Sequence, residues 1–288
     1  SPAMPVNRNY EIKEVAELTG LAPARLRAWE RRYKVVRPRR LANRYRVYSS
    51  EQVALLRAFA RLIAGGERIG ELIQEPVESV LSRAEGSVDD GSPLPGMLDA
   101  LRHLDRERLA ALLEQERRSR PLESFVREVI LPLAELIGDQ WALGKLSVAV
   151  EHLASDVVIT TLKRELELER GKGPVLLAAC LQGERHEWGL LCHLVLLARS
   201  GWRVRYLGAD LPLHDLVDAS WTVHPACLAI SAADPANVEA RLADLRRLPR
   251  LVAPGLVIVM GGQGADALGS RLRRYGFRVG DGAIPPVS

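Results

Sequence analysis

The sequence predicts a multidomain protein with three blocks: an α-helical head with a β-ribbon or wing, a central four-helix bundle, and a C-terminal α/β domain with a doubly wound parallel sheet. Three observations predict these blocks. Basic residues concentrate in residues 1–75, leucines recur at helical spacing across residues 94–171, and apolar strands alternate with helical patterns across residues 174–288.

The composition is that of an ordinary globular protein. Of the 288 residues, 47% are hydrophobic and 26% are charged, which argues against a disordered, collagen-like or disulfide-stapled chain. Apolar runs stay shorter than the roughly 18 residues of a membrane helix, so we expect no membrane partner. Cys180, Cys192 and Cys227 are widely spaced among apolar residues, which predicts buried thiols and a cytoplasmic location. The start, Ser1 to Met4, lacks a signal pattern and is typical of a cloning remnant before a native Met4.

The head carries most of the positive charge. Residues 1–75 hold 15 Lys and Arg against 8 Asp and Glu, whereas the whole chain has a formal net charge of +4. A helical pattern over residues 11–19, a turn at Gly20 and a helix start at Pro23 predict two helices joined by a turn. Residues 34–48 predict the ribbon or wing, since aromatic and β-branched residues cluster near their end.

Helix-capping and helix-breaking residues predict the remaining helix and domain boundaries. Ser50 is expected to cap a helix that ends at Gly65-Gly66, and a short helix is expected over residues 68–74. Glycines, prolines and aspartates between residues 85 and 96 predict a linker, because such a composition packs poorly. The predicted domains are residues 5–80 for the head, 81–93 for the linker, 94–171 for the bundle and 174–288 for the α/β domain.

Arginines cover the second helix and the ribbon of the head. Arginine can pair with guanine edges or with phosphates, while Leu26 and Trp29 supply the apolar side of the helix. A turn, a helix and a basic ribbon in this order favour DNA binding over the alternative, a solvated charged surface. The predicted DNA-binding residues are Arg25, Arg27, Arg31, Arg32, Tyr33, Arg39, Arg40, Arg44, Tyr45 and Arg46.

The head resembles the MerR family of winged helix-turn-helix regulators. The matching motifs are Ile12-Lys13-Glu14-Val15-Ala16, Thr19-Gly20-Leu21, Leu26-Arg27-Ala28-Trp29-Glu30-Arg31-Arg32-Tyr33 and Asn43-Arg44-Tyr45-Arg46-Val47-Tyr48-Ser49. The resemblance implies a recognition helix over residues 23–33 and a wing over residues 34–48. It also implies double-stranded promoter DNA and further copies of the chain, as a dimer or tetramer, as partners.

A histidine lies in the loop after the first predicted strand of the α/β domain. His186 is at the carboxyl end of that strand, where open α/β sheets bind ligands. Glu184 could accept the second imidazole N–H and fix the tautomer. Gly261 and Gly262 follow the fourth strand, and backbone without side chains permits close approach of a bulky ligand. Taken singly, these residues are also typical of an ordinary loop histidine and a tight turn.

In this order, the motifs resemble the cobalamin-binding module, which has a flavodoxin-like α/β fold. The matching residues are Glu184, His186 and Gly189 for the first motif, Ser231 for the second, and Gly261 and Gly262 for the third. The resemblance implies that His186 is the lower axial ligand of the cobalt in cobalamin. It also implies that the nucleotide tail of the cofactor enters the α/β core. Ala233 departs from the pattern, since a bulkier apolar residue is usual there.

Trp141 lies ten residues before Glu151-His152 in the bundle. A MerR head, a bundle with this spacing and a cobalamin module together resemble the CarH-type light-responsive regulators. This resemblance implies that Trp141, Glu151 and His152 cover the upper face of adenosylcobalamin, with methylcobalamin as an alternative cofactor. An indole offers a flat apolar surface for a nucleoside. The alternative is a core tryptophan and a polar helix face.

Ala142 departs from the subgroup pattern. In some CarH-type proteins a histidine at this position becomes an upper cobalt ligand after light breaks the cobalt–carbon bond. A methyl group cannot coordinate cobalt, so we expect a water or hydroxide upper ligand, or another histidine such as His152, after photolysis.

The sequence therefore predicts a light-responsive transcriptional regulator that is expected to act as a repressor and not as an enzyme. Two alternatives stay open: a cobalamin sensor without photochemistry, and a cobalamin-dependent methyltransferase or mutase. The DNA-binding head and the lack of a large catalytic domain argue against the enzyme. Other polar residues show no metal-ligand or catalytic-triad spacing, namely His193, His214, His224 and Asp210.

Overall fold

The computed structural model describes residues 9–41, 45–86, 91–169 and 171–287. The chain divides into two compact units, one that ends at Ala154 and one that begins at Ser155. The division falls inside one long helix of the bundle and not at the predicted start of the α/β domain. Within the described residues, no helix is both long and apolar enough to cross a membrane.

The head begins with strand β1 (Asn9–Glu11), helix α1 (Ile12–Thr19) and helix α2 (Pro23–Arg32). Gly20 ends α1 with a φ of +68°, a left-handed conformation that favours glycine. Pro23 lies in the first turn of α2, where a missing backbone N–H leaves no hydrogen bond unmade. The two residues that predicted the turn therefore also form it.

The predicted ribbon is present as two antiparallel strands, β2 (Arg39–Arg40) and β3 (Arg46–Ser49). Together with β1 they form a three-stranded sheet in the order β1-β3-β2. This arrangement confirms the wing. Its tip, residues 42–44, includes the predicted DNA-binding Arg44 and lies outside the described residues.

Helix α3 (Ser50–Ala64) is capped by Ser49 and not, as predicted, by Ser50. The Ser49 hydroxyl accepts from the Gln52 backbone N–H (3.2 Å), and the Gln52 side chain accepts from the Ser49 N–H (3.1 Å). Both serines can cap a helix, but only Ser49 has a glutamine three residues later, which completes the reciprocal capping box.

The predicted linker is wrong for residues 81–86, because the head continues through α4 (Ile69–Leu72) and α5 (Val77–Gly86). Helix α5 packs on α3 and buries its apolar side, formed by Val80, Leu81 and Ala84, in the core of the head. Three buried side chains at helical spacing outweigh the glycine-rich composition that follows.

Four helices follow, as predicted for the bundle. They are α6 (Leu94–Arg102), α7 (Arg106–Ser119), a third helix made of α8 (Leu122–Phe125), a π-helical turn (Val126–Ile130) and α9 (Leu131–Ala142), and α10 (Val148–Leu168). In the wide turn, the Leu131 N–H bonds to the Val126 carbonyl, five residues back. Pro132 follows and has no N–H to continue the α pattern, which accounts for the irregularity.

The leucine stripe that predicted the bundle is mostly buried. Leu98, Leu101, Leu109 and Leu113 are all at most 4% exposed. Leu104 is the exception: it lies between α6 and α7 with a φ of +53° and is 50% exposed. The helical spacing therefore continued by chance across a turn.

The α/β domain alternates strands and helices as predicted. Its elements are β4 (Val175–Cys180), α11 (Trp188–Arg199), β5 (Arg203–Tyr206), α12 (Leu213–Val223), β6 (Cys227–Ser231), α13 (Pro235–Ala240), α14 (Leu242–Leu251), β7 (Val257–Gly261), α15 (Gln263–Ala267), α16 (Gly269–Tyr275), β8 (Arg278–Val279) and a 3₁₀ turn (Asp281–Ala283). The one helix predicted over residues 237–248 is two, because Asp234 caps an earlier start and the helical backbone breaks at Arg241. Strand β8 was not predicted, since two residues carry no readable pattern.

The five strands are parallel and run in the order β5-β4-β6-β7-β8. This is the flavodoxin-like order, so the predicted fold class is confirmed. The chain reverses its direction of winding between β4 and β6, and loops that follow these two strands diverge there to leave a crevice. The candidate site lies at this carboxyl edge of the sheet.

Candidate functional site

The loop between β4 and α11 is pinned to its neighbours. The Leu181 N–H donates to the Ser231 carbonyl (2.9 Å), and the Gly183 N–H donates to Asp210 Oδ1 (2.6 Å). Gly183 has a φ of +84°, and a Cβ there would lie 2.9 Å from Asn237 Oδ1. Glycine is therefore needed for this turn, which fixes the loop at the edge of the sheet.

Glu184 is a buried carboxylate, 1% exposed, with hydrogen bonds at both oxygens. Its Oε1 accepts from the His186 backbone N–H (2.9 Å) and from His186 Nδ1. Its Oε2 accepts from the backbone N–H groups of Ala233 (2.6 Å) and Asp234 (3.3 Å). Burial alone would raise the pKa of Glu184, but the hydrogen bonds from His186 and Ala233 outweigh it and lower the pKa. The carboxylate therefore stays ionised.

His186 is fixed in the tautomer that a metal ligand needs. Because the Glu184 carboxylate can only accept, Nδ1 is the donor of this hydrogen bond, which leaves Nε2 as the ring nitrogen that can coordinate a metal. Nε2 is buried and has no hydrogen-bond partner within the described residues. Buried polar atoms without a partner are rare in native proteins, so this nitrogen indicates an absent ligand. The predicted pairing of Glu184 with His186 is thus present.

His186 lines a cavity of about 230 Å³ at the carboxyl edge of the sheet. The ends of β6 and β7 and the first turns of α11 supply most of its wall, and the loops that follow β4, β6 and β7 contribute to the rest. Five predicted site residues lie in this wall, namely His186, Gly189, Ser231, Gly261 and Gly262. Sequence reasoning missed several others, namely Leu190, His193, Gln263, Gly280 and Ile284, because none belongs to a motif.

The glycines after β7 bring two backbones together. Gly262 has a φ of +92°, and a Cβ there would lie 2.6 Å from the Ala232 carbonyl oxygen. A Cβ at Gly264 would lie 2.7 Å from the carbonyl carbon of Asp234. Gly262 therefore lies in the cavity wall, as predicted for a ligand-facing residue, and also allows the close contact between the β6 and β7 loops.

Gly262→Ala is expected to destabilise the α/β domain by about 3 kcal/mol, since the new Cβ meets fixed backbone and alanine disfavours this φ. Gly189→Ala is the matched control, because a Cβ at Gly189 meets nothing within 4 Å. Urea unfolding of both variants measures the difference. Equal midpoints for Gly262→Ala and the wild type would contradict the prediction.

Three further predicted residues lie on the helices of the first unit. Trp141 is in the last turn of α9, is half-buried, and has a buried Nε1 without a hydrogen-bond partner in the described chain. Glu151 lies in the first turn of α10 and is 1% exposed. His152 is exposed, with Nε2 3.8 Å from Glu151 Oε2. Ala142, half-buried, follows Trp141 as the last residue of α9.

The helical turn that precedes Trp141 is bonded to the head. Arg57 of α3 donates from Nη1 to Asp139 Oδ1 (2.8 Å) and from Nε to the Leu18 carbonyl at the end of α1 (2.9 Å). Burial raises the pKa of Asp139, and the attraction of Arg57 offsets this only in part. One arginine thus joins the first helix of the helix-turn-helix to the helix that carries Trp141.

A second polar cluster joins the same helix to α5. Glu85 accepts from Gln140 Nε2 (2.9 Å), Lys145 Nζ (2.9 Å) and Arg102 Nη2 (3.0 Å). Burial would raise the pKa of Glu85, but these three donors outweigh burial and lower it. Leu143 also packs against the apolar core of the head. Residues on both sides of Trp141 are therefore anchored to the head.

The predicted DNA-binding surface is mostly exposed. The exposed residues are Arg25, Arg27, Arg31 and Arg32 on α2, Arg39 and Arg40 on β2, and Tyr45 just before β3. Leu26 and Trp29 are buried beneath α2, as predicted. Tyr33 is half-buried, with the Arg32 guanidinium 5.3 Å from its ring centre.

Arg46 is bonded within the head. Its Nε donates to Glu30 Oε2 (2.6 Å), and this hydrogen bond raises the pKa of Arg46. The pair joins α2 to β3 and so fixes the wing against the recognition helix. Arg46 therefore has a structural partner within the head, which its place in an arginine-rich segment did not indicate.

Two family models match the chain. The model described as "MerR HTH family regulatory protein" matches residues 10–74, which cover the head. The model described as "B12 binding domain" matches residues 95–164, which are the helices of the bundle and not the α/β sheet.

Two curated relatives cover most of the chain. The HTH-type transcriptional repressor CarH of Myxococcus xanthus is 32% identical over 96% of this chain and 96% of the relative. The HTH-type transcriptional repressor CarA of the same organism is 34% identical over 88% of this chain and 86% of the relative.

A solved structure supports the fold. The monomethylamine corrinoid protein of Methanosarcina barkeri is 16% identical, with a TM-score of 0.51, over 64% of this chain and 89% of that protein. At this identity the likeness concerns the fold alone. The two repressors and the two family models carry the assignment: the chain belongs to the MerR HTH family and, within it, to the CarH-type group with a B12-binding domain.

Proposed function

We propose that this protein is a transcriptional repressor that binds promoter DNA as an oligomer and senses light through bound adenosylcobalamin. The observation that carries the proposal is the buried Nε2 of His186, whose ring is fixed by Glu184 and which has no partner among the described residues. The names of the relatives CarH and CarA describe transcriptional repressors, which supports a regulatory and not an enzymatic role.

His186 would bind the cobalt of cobalamin from below. Its free lone pair and fixed tautomer suit a metal ligand, since a carboxylate on the second ring nitrogen raises the basicity of the first. The cavity beside it, with Gly189, Ser231 and Gly261 in its wall, would hold part of the nucleotide tail. When bound, adenosylcobalamin supplies absorption of visible light and a photolabile cobalt–carbon bond.

Trp141, Glu151 and His152 would cover the upper side of the cofactor. The indole offers an apolar surface to an adenosyl group, and its unpartnered Nε1 offers one donor. Exposed His152 would supply a further polar contact. Trp141 would pack against the adenosyl group, and the helix that carries Trp141 is bonded to the head through Asp139.

The head would bind one half-site through α2 and the wing. One recognition helix reads one half-site, so specific binding needs at least two copies of the chain. Light would then release DNA by loosening the oligomer. A switch from mostly bound to mostly released DNA needs about 5 kcal/mol of differential stability between the two states.

A DNA mobility-shift assay in the dark and under green light tests this proposal. The probe is a duplex selected from a random pool by the dark, adenosylcobalamin-loaded protein. With adenosylcobalamin bound, we expect a shifted band in the dark that disappears on illumination. Protein that contains neither methylcobalamin nor adenosylcobalamin should show no effect of light. Binding that is independent of every cobalamin form would overturn the sensor role.

Two variants serve as controls for the assay. Arg31→Ala removes an exposed charge of α2 and should weaken every shift. Arg127→Ala removes another exposed charge, in the bundle, at 62% side-chain exposure, and should leave the shift unchanged. Equal shifts for both variants would contradict the assignment of α2 as the recognition helix.

Ala142 favours a second candidate function, a repressor that senses cobalamin without photochemistry. Its methyl group cannot coordinate cobalt, so this residue would not supply an upper ligand to cobalamin. In the same assay, this candidate gives a shift that requires cobalamin but is equal in light and dark.

A further inference from the structure

The residue after His186 is held by two side chains. Glu187 Oε2 accepts from the Tyr206 hydroxyl (2.6 Å) and lies 2.9 Å from Lys163 Nζ. The Glu187 side chain is only 15% exposed. A carboxylate so placed, with two strong donors on one oxygen, has little freedom to move.

The backbone of His186 is bonded to a neighbour of the same Tyr206 hydroxyl. Cys180 Sγ at the end of β4 donates to the His186 carbonyl (3.7 Å) and is 3.9 Å from the Tyr206 hydroxyl at the end of β5. The Cys180 thiol and the Tyr206 hydroxyl therefore link the His186 backbone to the Glu187 side chain.

Lys163 completes the cluster from α10. Its ammonium is 2.9 Å from Glu187 and 5.7 Å from the centre of the Tyr206 ring, so it contacts both partners at once. The cluster thus joins the ends of β4 and β5, the start of α11 and the second half of α10.

The hydrogen bond between Glu184 and His186 Nδ1 does not by itself fix the position of His186 Nε2. It sets which way the imidazole turns, but the position of Nε2 also depends on where the backbone at residues 186–187 lies. A ligand atom must be held within about half an ångström of its working position, and this precision requires further residues that support the ligand residue.

We propose that Glu187, Tyr206 and Lys163 are positioning residues for His186, which hold its backbone so that Nε2 stays directed at the cobalt of cobalamin. This inference rests on the proposed function. Removal of one positioning group is expected to lower cobalamin affinity by about tenfold, since outer partners of metal ligands act on this scale.

The test uses full-length protein with ¹⁵N-labelled histidine and added cob(II)alamin. In the electron paramagnetic resonance spectrum, a protein histidine then splits each cobalt line into a doublet, whereas the cofactor's own base gives a triplet. We expect a doublet for the wild type. Glu187→Gln and Tyr206→Phe should bind about tenfold more weakly and show a smaller doublet fraction, with melting temperatures close to that of the wild type. Lys163→Met should act in the same direction.

Glu239→Gln is the matched control, because Glu239 forms an exposed ion pair with Arg271 in the same unit. It should keep wild-type affinity and the full doublet. If one variant fails to fold, the other two decide the question. An undiminished doublet and unchanged affinity in the folded variants would overturn the positioning role alone. A wild type without a doublet would overturn the proposed function, and this inference with it.

Discussion

His186→Ala is expected to lower cobalamin affinity by more than about 100-fold, because the substitution removes the ligand itself and not an outer partner. Equilibrium dialysis with adenosylcobalamin measures the affinity, and the visible spectrum of any bound cofactor reports its axial ligand. The DNA shift that depends on cobalamin should disappear with the binding.

The fold should survive this substitution. The His186 side chain is 27% exposed, and without it Glu184 still accepts from the backbone N–H groups of residues 186 and 233. His214→Ala is the matched control, since His214 is 78% exposed on α12. It should bind cobalamin as the wild type does.

Two further measurements distinguish the loss of the cobalt ligand from a change in the shape of the binding site. Free imidazole added to His186→Ala should restore part of the binding, because it can occupy the space of the missing ring. Glu184→Gln keeps the size of the side chain but removes the negative charge that accepts from His186 Nδ1. It should lower cobalamin affinity by about tenfold. Tight binding by His186→Ala without imidazole would exclude His186 as the ligand.

The sequence predicted those parts of the site that are local in the chain. Glu184 and His186 are two residues apart, and their hydrogen bond follows from a spacing that can be read directly. The turn at Gly20 and the start of α2 at Pro23 are local in the same sense. In each case the residues that carry the signal also make the contact.

Contacts between distant residues were not predictable in this way. In the sequence, nothing distinguishes Arg46 from the neighbouring arginines; only the fold places Glu30 beside it. The contact between Gly262 and Ala232 depends on the approach of two loops, so the sequence indicated only the ligand-facing role of this glycine and not its packing role. Helix α5 was missed because the composition after residue 85 masked a stripe of three apolar residues that needs α3 as its partner.

The Arg57–Asp139 pair, 82 residues apart, has the largest expected effect among these distant contacts. The two side chains are only 15% and 16% exposed, and Arg57 also bonds the Leu18 carbonyl. Removing one partner of a buried pair leaves an uncompensated charge, so Arg57→Met and Asp139→Leu should each cost about 3 kcal/mol.

The double variant Arg57→Met with Asp139→Leu should be far less destabilised than the sum of the single variants, because neither charge is then left buried alone. Arg127→Met, which breaks an exposed pair with Glu123 in the bundle, is the control and should cost below about 1 kcal/mol. Urea unfolding of the full chain gives these values, and hydrogen exchange locates the loosening to α3 and α9.

The same pair predicts a pH dependence with a definite sign. Because burial raises the pKa of Asp139, the folded chain holds this proton more tightly than the unfolded chain. The contribution of Asp139 to stability is therefore fully present below its unfolded pKa and is lost as pH rises through its folded pKa. Asp139→Asn should remove this part of the pH dependence. Single variants as stable as Arg127→Met, with an unchanged pH profile, would show that α9 and the head are held together by Leu143 and the Glu85 cluster alone.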